Sequence, residues 1–241
     1  MSSLGTMSRV SLFVTLLAAV CFASPARAQG ADAPDESAST GVDQETKIVH
    51  VLMKTTKGDI VLALDAEKAP ISVENFLMYA DEGTYDGTVF HRVIDNFMIQ
   101  GGGFEPSGEK RDSKDPIKNE WKNGLKNVRG TIAMARTNNP DSATNQFFIN
   151  VNDNAFLDEG SSRTGGAGYA VFGHVVKGME VVDDIKNVKT GSKPVPGSFQ
   201  PMQNWPVEDV VIEKVRRLTA EEEAALNEGT TEEASSASEQ G

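Results

Sequence analysis

The sequence predicts a mainly β fold: a closed eight-stranded antiparallel β-barrel with two flanking α-helices. Three observations lead there. Eight short segments carry period-two or continuous apolar character, only two stretches have helical spacing, and strands and helices do not alternate as a parallel doubly wound sheet requires. A barrel of that strand number fills its interior with side chains, so a ligand must bind on the outer wall or at a mouth.

The first two strands, Ile48 to Met53 and Ile60 to Leu64, flank Lys57-Gly58-Asp59, the composition of a hairpin turn. A helix follows. Pro70 suits its first turn, Val73, Phe76, Leu77 and Ala80 recur at helical spacing, and Gly83 suits the position just past its end. Tyr85-Asp86-Gly87-Thr88 turns the chain into a strand from Val89 to Ile94, and Asp95-Asn96 turns it again into Phe97 to Gly101. Glu105 to Asn127 is polar, with lone apolar residues and several Gly, Pro and Asn, and reads as loop. Strands resume at Thr131 to Ala135, Phe147 to Val151 and Ala170 to Val175. Met179 to Ile185 is the second helix, and Val207 to Val215 the last strand.

The ends of the chain read differently. Arg9 precedes an apolar run from Val10 to Ala23, then Pro25 and the small-residue site Ala26-Arg27-Ala28, the layout of a secretory signal peptide over residues 1–28 cleaved after Ala28. Met7 would serve as a start equally well. The apolar run is shorter than the roughly 18 to 20 residues of a spanning helix. A lipid-modified Cys21 is disfavoured because Val20 stands where such sites want a small residue. Residues 29–46 are Ala, Asp, Ser and Gly rich and read as a flexible leader. Residues 219–241 read as an acidic disordered tail, although Glu221-Glu222-Glu223 leaves a short helix open. One folded domain is expected over residues 47–218.

Composition narrows the chemistry. The chain has 241 residues, 39% of them hydrophobic, and a net charge of -12, which argues against a nucleic-acid backbone or an anionic membrane as partner of the mature form. The single cysteine lies in the segment to be removed, so neither a disulfide nor a thiolate nucleophile is expected. His50, His91 and His174 lack metal-ligand spacing, so no metal is expected. Gly101-Gly102-Gly103 fails the dinucleotide fingerprint, no phosphate-cradling loop is present, and no cofactor is expected. A GxSxG elbow is also absent, which leaves a hydrolase without a visible nucleophile and base.

The segment Phe90 to Gly102, FHRVIDNFMIQGG, holds the most distinctive chemistry. Strict alternation puts Phe90 and Arg92 on one side of the first strand, His91 and Val93 on the other, and Met98 with Gln100 on one side of the second. A permanently charged guanidinium thus stands among apolar neighbours. A lone arginine so placed more often snorkels to a surface carboxylate; the company of Phe97, Met98 and Gln100 favours a site.

That segment, together with GTIAMAR, TNQFFINV, AFLD and YAVFGHVVKGMEVVD in the same order and spacing, resembles the cyclophilins over essentially all of Lys47 to Val215, with the KNEWKNGL-type loop of exported bacterial members. The resemblance implies a peptidyl-prolyl cis-trans isomerase, monomeric, acting in the periplasm on proline-containing segments of unfolded or flexible proteins. By position, Arg92 matches the catalytic arginine and Gln100 the glutamine that helps hold it. Phe97, Met98, Phe148 and Leu157 match the proline pocket, with Tyr169 at its edge; Ala135 and Gln146 match positions that contact the peptide, and His91 a histidine behind the site. Three positions depart from the best-known eukaryotic pattern: Phe156 replaces a tryptophan associated with cyclosporin, Tyr169 a pocket histidine, and Arg136 an asparagine that lends its backbone. The first argues against high-affinity cyclosporin binding. The alternative function is a proline-directed chaperone or scaffold with little catalysis, for which the apolar wall alone would suffice.

Overall fold

In a computed structural model of the protein, residues 47–160, 166–226 and 228 are described. The expected signal peptide and leader lie outside the described residues, as does most of the expected tail. Strands β1 (Ile48–Thr55) and β2 (Gly58–Asp65) form the expected hairpin, in register from Ile48 opposite Asp65 to Thr55 opposite Gly58. Thr55 closes the turn, its hydroxyl donating to the Gly58 carbonyl at 2.7 Å and accepting from the Lys57 amide at 3.1 Å. Val51, Met53, Ile60, Leu62 and Leu64 are fully buried between the sheet and its helices.

Helix α1 (Pro70–Asp81) starts on its proline and buries Val73, Phe76, Leu77 and Ala80. No side chain of its own caps it. Glu120, from the long polar loop, accepts from the Ile71 amide at 3.1 Å and from the amide and hydroxyl of Ser72 at 2.7 Å. A carboxylate there satisfies orphan donors at the positive end of the helix, so the loop doubles as its cap.

The other strands are β3 (Thr88–Val89), β4 (Arg92–Ile94), β5 (Met98–Gly101), β6 (Thr131–Met134), β7 (Phe147–Asn150), β8 (Val171–Lys177), β9 (Thr190–Lys193), β10 (Met202–Pro206) and β11 (Val211–Arg217). Helix α2 (Met179–Lys186) follows β8. Nine strands form one sheet in the order β3-β11-β1-β2-β8-β6-β7-β5-β4, antiparallel throughout, and β9 pairs with β10 apart from it.

The closed eight-stranded barrel expected from the sequence is not what forms. The sheet curls but stays open: its end strands β3 and β4 share no ladder, although only Phe90 and His91 separate them in the chain. The single strand expected over Val89 to Ile94 breaks at those two residues. There the Val89 amide donates to the Phe104 carbonyl at 2.9 Å and the Phe90 amide to the Val210 carbonyl at 3.0 Å. The break also cancels strict alternation, because Phe90 enters the main core rather than sharing a side with Arg92. The last strand starts later than expected, at Val211, and leaves Val207 exposed.

The main core lies between the sheet and both helices. Phe76 packs against Tyr85, Phe147 and Phe172 with ring centroids 4.9, 5.4 and 5.5 Å away. Val182 and Ile185 close it from α2. Past β11, residues 220–226 are helical. Arg216 grips Glu222 with both nitrogens at 2.7 Å, and His50 Nδ1 lies 2.7 Å from Glu223 Oε2. The tail expected from residue 219 therefore begins as docked helix, the alternative left open for the glutamate run.

Candidate active site

Register builds the site. One rung of the sheet runs Arg92, Gln100, Phe148, Ala133, Val171 across five strands, and the adjacent rung runs Val93, Ile99, Ile149, Ile132, Gly173. Successive side chains point to opposite faces. The second rung is accordingly main core, with all four of its side chains at most 2% exposed. The first rung faces outward, where Phe148, Ala133 and Val171 join Met98 and Leu157 in a separate apolar cluster.

Arg92 stands on the half-buried edge of that cluster. Its Nη1 donates to Gln100 Oε1 at 3.5 Å and lies 4.0 Å from Met98 Sδ, and its guanidinium carbon is 5.9 Å from the centre of the Phe97 ring. Gln100 is held from behind, its Nε2 donating to Gln146 Oε1 at 2.9 Å. Burial pushes the guanidinium below its ordinary range while the Tyr169 hydroxyl pulls the other way. An arginine remains charged under such a shift. Among the described residues no carboxylate pairs with it, although ten other lysine or arginine side chains form ion pairs there.

Beside Arg92 opens a cavity of about 130 Å³. Its wall comprises Arg92, Phe97, Met98, Gln100, Ala135, Arg136, Phe148, Leu157 and Tyr169, all of them singled out from the sequence. Leu157 arrives on a 3-10 turn (Ala155–Leu157), whose carbonyl accepts from the Tyr169 amide at 2.9 Å. Tyr169 meets Phe148 edge-on at 5.7 Å, and the Arg136 guanidinium covers its ring at 4.4 Å while donating to the Ala167 and Gly168 carbonyls. Phe156 is 58% exposed and stacks on Phe97 outside the cavity. Ala135 and Gln146 are joined through their backbones at 3.0 Å. A larger hollow of about 580 Å³ beside residues 218–226 contains none of the site residues expected from the sequence, and Glu222 in its wall is already paired with Arg216.

His91 does not reach the cavity. It is fully buried, with Phe104 at 4.7 Å and Trp205 at 6.0 Å from its ring. Burial pushes its pKa down to about 4, with the neighbouring Arg92 charge adding to this and the Val89 carbonyl and Gln146 side chain opposing it. Neither ring nitrogen makes a hydrogen bond of good geometry. The strands β9 and β10 supply Trp205 and escape notice in the sequence, because Thr190-Gly-Ser-Lys has no apolar periodicity and Met202 to Pro206 contains a proline and a bulge at Asn204, whose φ is 61°. Ile94 and Leu125 pack against the same apolar cluster without being among the expected site residues; Ile94 closes a predicted strand and Leu125 is a lone leucine in a polar loop, so neither carries a functional signal.

Residues 50–217 match the family model described as cyclophilin type peptidyl-prolyl cis-trans isomerase/CLD. The chain is 53% identical over 171 residues to peptidyl-prolyl cis-trans isomerase A of Dickeya dadantii (strain 3937), covering 71% of this chain and 85% of that protein. It is 55% identical over 165 residues to peptidyl-prolyl cis-trans isomerase B of Escherichia coli (strain K12), covering 68% of this chain and 97% of that protein. Among solved structures, a cyclophilin type isomerase of Cryptosporidium parvum crystallised in the presence of the dipeptide Ala-Pro superimposes with a TM-score of 0.54 at 25% identity, covering 70% of this chain and 99% of that one.

Proposed function

The chain belongs to the cyclophilin-type family of peptidyl-prolyl cis-trans isomerases and is such an isomerase, and from that premise we propose that its catalysis rests on Arg92, steadied by Gln100 beside the apolar cavity. The reaction breaks no σ-bond. Rotation about X-Pro is slow because the amide is conjugated, with a barrier of roughly 18 to 20 kcal/mol. At the twisted transition state conjugation is lost and the proline nitrogen regains a lone pair. A guanidinium aimed at that nitrogen stabilises the twisted form more than either planar isomer, and only such differential stabilisation raises the rate.

The cavity performs the complementary task. Phe97, Met98, Phe148 and Leu157 offer a proline ring an apolar seat whose burial is worth on the order of 1 to 2 kcal/mol, enough to hold one half of the peptide while the other turns. The proposed ligands are accordingly proline-containing segments of flexible chains, in keeping with the Ala-Pro present in the related crystal. The single observation that carries the mechanism is the half-buried Arg92, held by a neutral amide with no carboxylate partner among the described residues. Pure binding of proline would not need it. From the layout of residues 1–28 we infer that the protein works after export, and N-terminal sequencing of the secreted form, expected to begin at Gln29, checks this.

An isomerisation assay on Arg92→Ala tests the mechanism. The expected loss is about 10²- to 10³-fold in kcat/KM, the scale seen when one preorganised charge-stabilising donor is removed. Affinity for a proline peptide should change far less, and Arg92→Lys should recover little because a point charge lacks the rigid fork. Wild-type rates in folded Arg92→Ala would refute the role. Peptide binding without a measurable isomerisation rate in the wild-type protein would turn the reading toward a proline-directed chaperone.

A further inference from the structure

The three consecutive glycines after Gln100 have different surroundings. Gly101 and Gly102 abut the main core. A Cβ on Gly102 would stand 2.8 Å from Phe147 and 2.9 Å from Tyr85, and the residue has a φ of +82°, so glycine is required there by both space and backbone. Gly103 differs on both counts. Its φ lies outside the left-handed region, and its backbone is pinned by the Arg111 amide, which donates to its carbonyl at 2.9 Å.

The closest approach to a Cβ on Gly103 is made by one side chain. The three nearest atoms all belong to Gln146: Cγ and Cδ at 2.5 Å and Nε2 at 2.7 Å. A flexible side chain can move away, so alanine at 103 is compatible with the fold and incompatible with the present position of Gln146. That position matters because Gln146 Oε1 accepts the 2.9 Å bond from Gln100, whose own Oε1 faces Arg92. Gln100 has one amide group to aim, and fixing its Nε2 turns its oxygen toward the guanidinium.

We propose that Gly103 is a positioning residue for the isomerisation: its missing side chain makes room for Gln146 to brace Gln100, and through Gln100 to aim Arg92. The inference rests on the catalytic role of Arg92 proposed above. It touches no part of the apolar seat. Gln146 is not among the residues lining the cavity, so displacing it should lower turnover by a larger factor than it lowers the affinity for proline peptides, the peptide contact expected of Gln146 accounting for the smaller part and the error of aim for the larger.

A double-mutant cycle tests this, with Arg92→Ala run beside it. Gly103→Ala should lower kcat by about 5- to 50-fold, between the loss of one hydrogen bond and the cost of an ångström-scale misplacement, with a smaller change in peptide affinity and a melting temperature close to wild type. In a Gln146→Ala background the three closest contacts are gone and the same substitution should have no further effect. Equal losses from Gly103→Ala in both backgrounds would overturn the inference, as would a wild-type rate for the single variant. If Gly103→Ala unfolds instead, the double variant decides: a restored fold with the turnover of Gln146→Ala supports the steric argument, and an unrestored one rejects it. A wild-type rate for Arg92→Ala would instead bring down the catalytic reading itself, so the two failures are distinct.

Discussion

Phe147 and Phe148 are neighbours on one strand with opposite employment. Phe147 is fully buried and meets Phe76, Tyr85 and Phe90 at 5.4, 5.4 and 6.2 Å, the hub of the main core. Phe148 is nearly as buried, at 5% exposed, yet its contacts are Tyr169 and the outer cluster around the cavity. The same residue type in adjacent positions thus stabilises the fold on one rung and forms the site on the next. A period of two is the whole cause, and a slip of one residue in β7 would exchange the roles.

The largest effect should come from the inner member. Phe147→Ala removes a hub ring from the main core and should cost about 3 to 5 kcal/mol of stability, a large part of what a domain of this size has. Urea unfolding measures it. At temperatures where the variant is still folded, its kcat/KM should stay close to wild type. A variant that kept its stability and lost its rate would break the division between the rungs.

The second way to sharpen the comparison uses pH. Behind the outer rung, His91 is the buried titratable group, with a folded pKa of about 4 against an ordinary 6.5. The unfolded chain therefore takes up a proton that the folded one refuses between those values. Stability is full above pH 6.5 and falls as pH drops toward 4, by on the order of 3 kcal/mol at 1.36 kcal/mol per unit. Asp183, lowered to about 2 chiefly by its bond to Arg129, contributes below that window. Denaturant midpoints at pH 7 and 4.5 should differ accordingly, and His91→Gln should flatten the difference. Turnover per folded molecule should be level over the same range, because Arg92 does not titrate there.

Much of this division was legible in the sequence, for a physical reason. The quoted motifs single out Arg92, Gln100, Phe148 and Leu157, and the fold brings these four to one cavity; within β5 and β7 the alternation that separates the two faces is local and survives into the fold. What failed was set by distant partners. The break at Phe90 and His91 follows from the carbonyls of Val210, 120 residues from Phe90, and Phe104, 15 residues from Val89, and no local propensity announces it. Glu120 as the cap of α1 is likewise a contact across 49 residues. The helix at 220–226 needed Arg216 and His50 to hold its glutamates, and in isolation a run that short and acidic is solvated coil.

The smallest effect should come from the outer ring, and it tests the division most closely. Phe148→Leu retains an apolar side chain but removes the flat face and the edge-on contact with Tyr169, 5.7 Å away. An aromatic pair is worth about 0.5 to 1.5 kcal/mol beyond its buried area, which translates to roughly a 2- to 10-fold loss if the proline ring relies on the same surface. That loss should appear in KM or peptide affinity and not in kcat, because Arg92 and its glutamines keep their places and the twisted and planar peptides lose the seat alike. Phe147→Leu is the matched control on the adjacent rung. It should lower the unfolding midpoint more than Phe148→Leu does while leaving peptide affinity alone. If both substitutions shifted affinity equally, the two faces of β7 would be one packing unit, and the separation of core from site by register would be wrong.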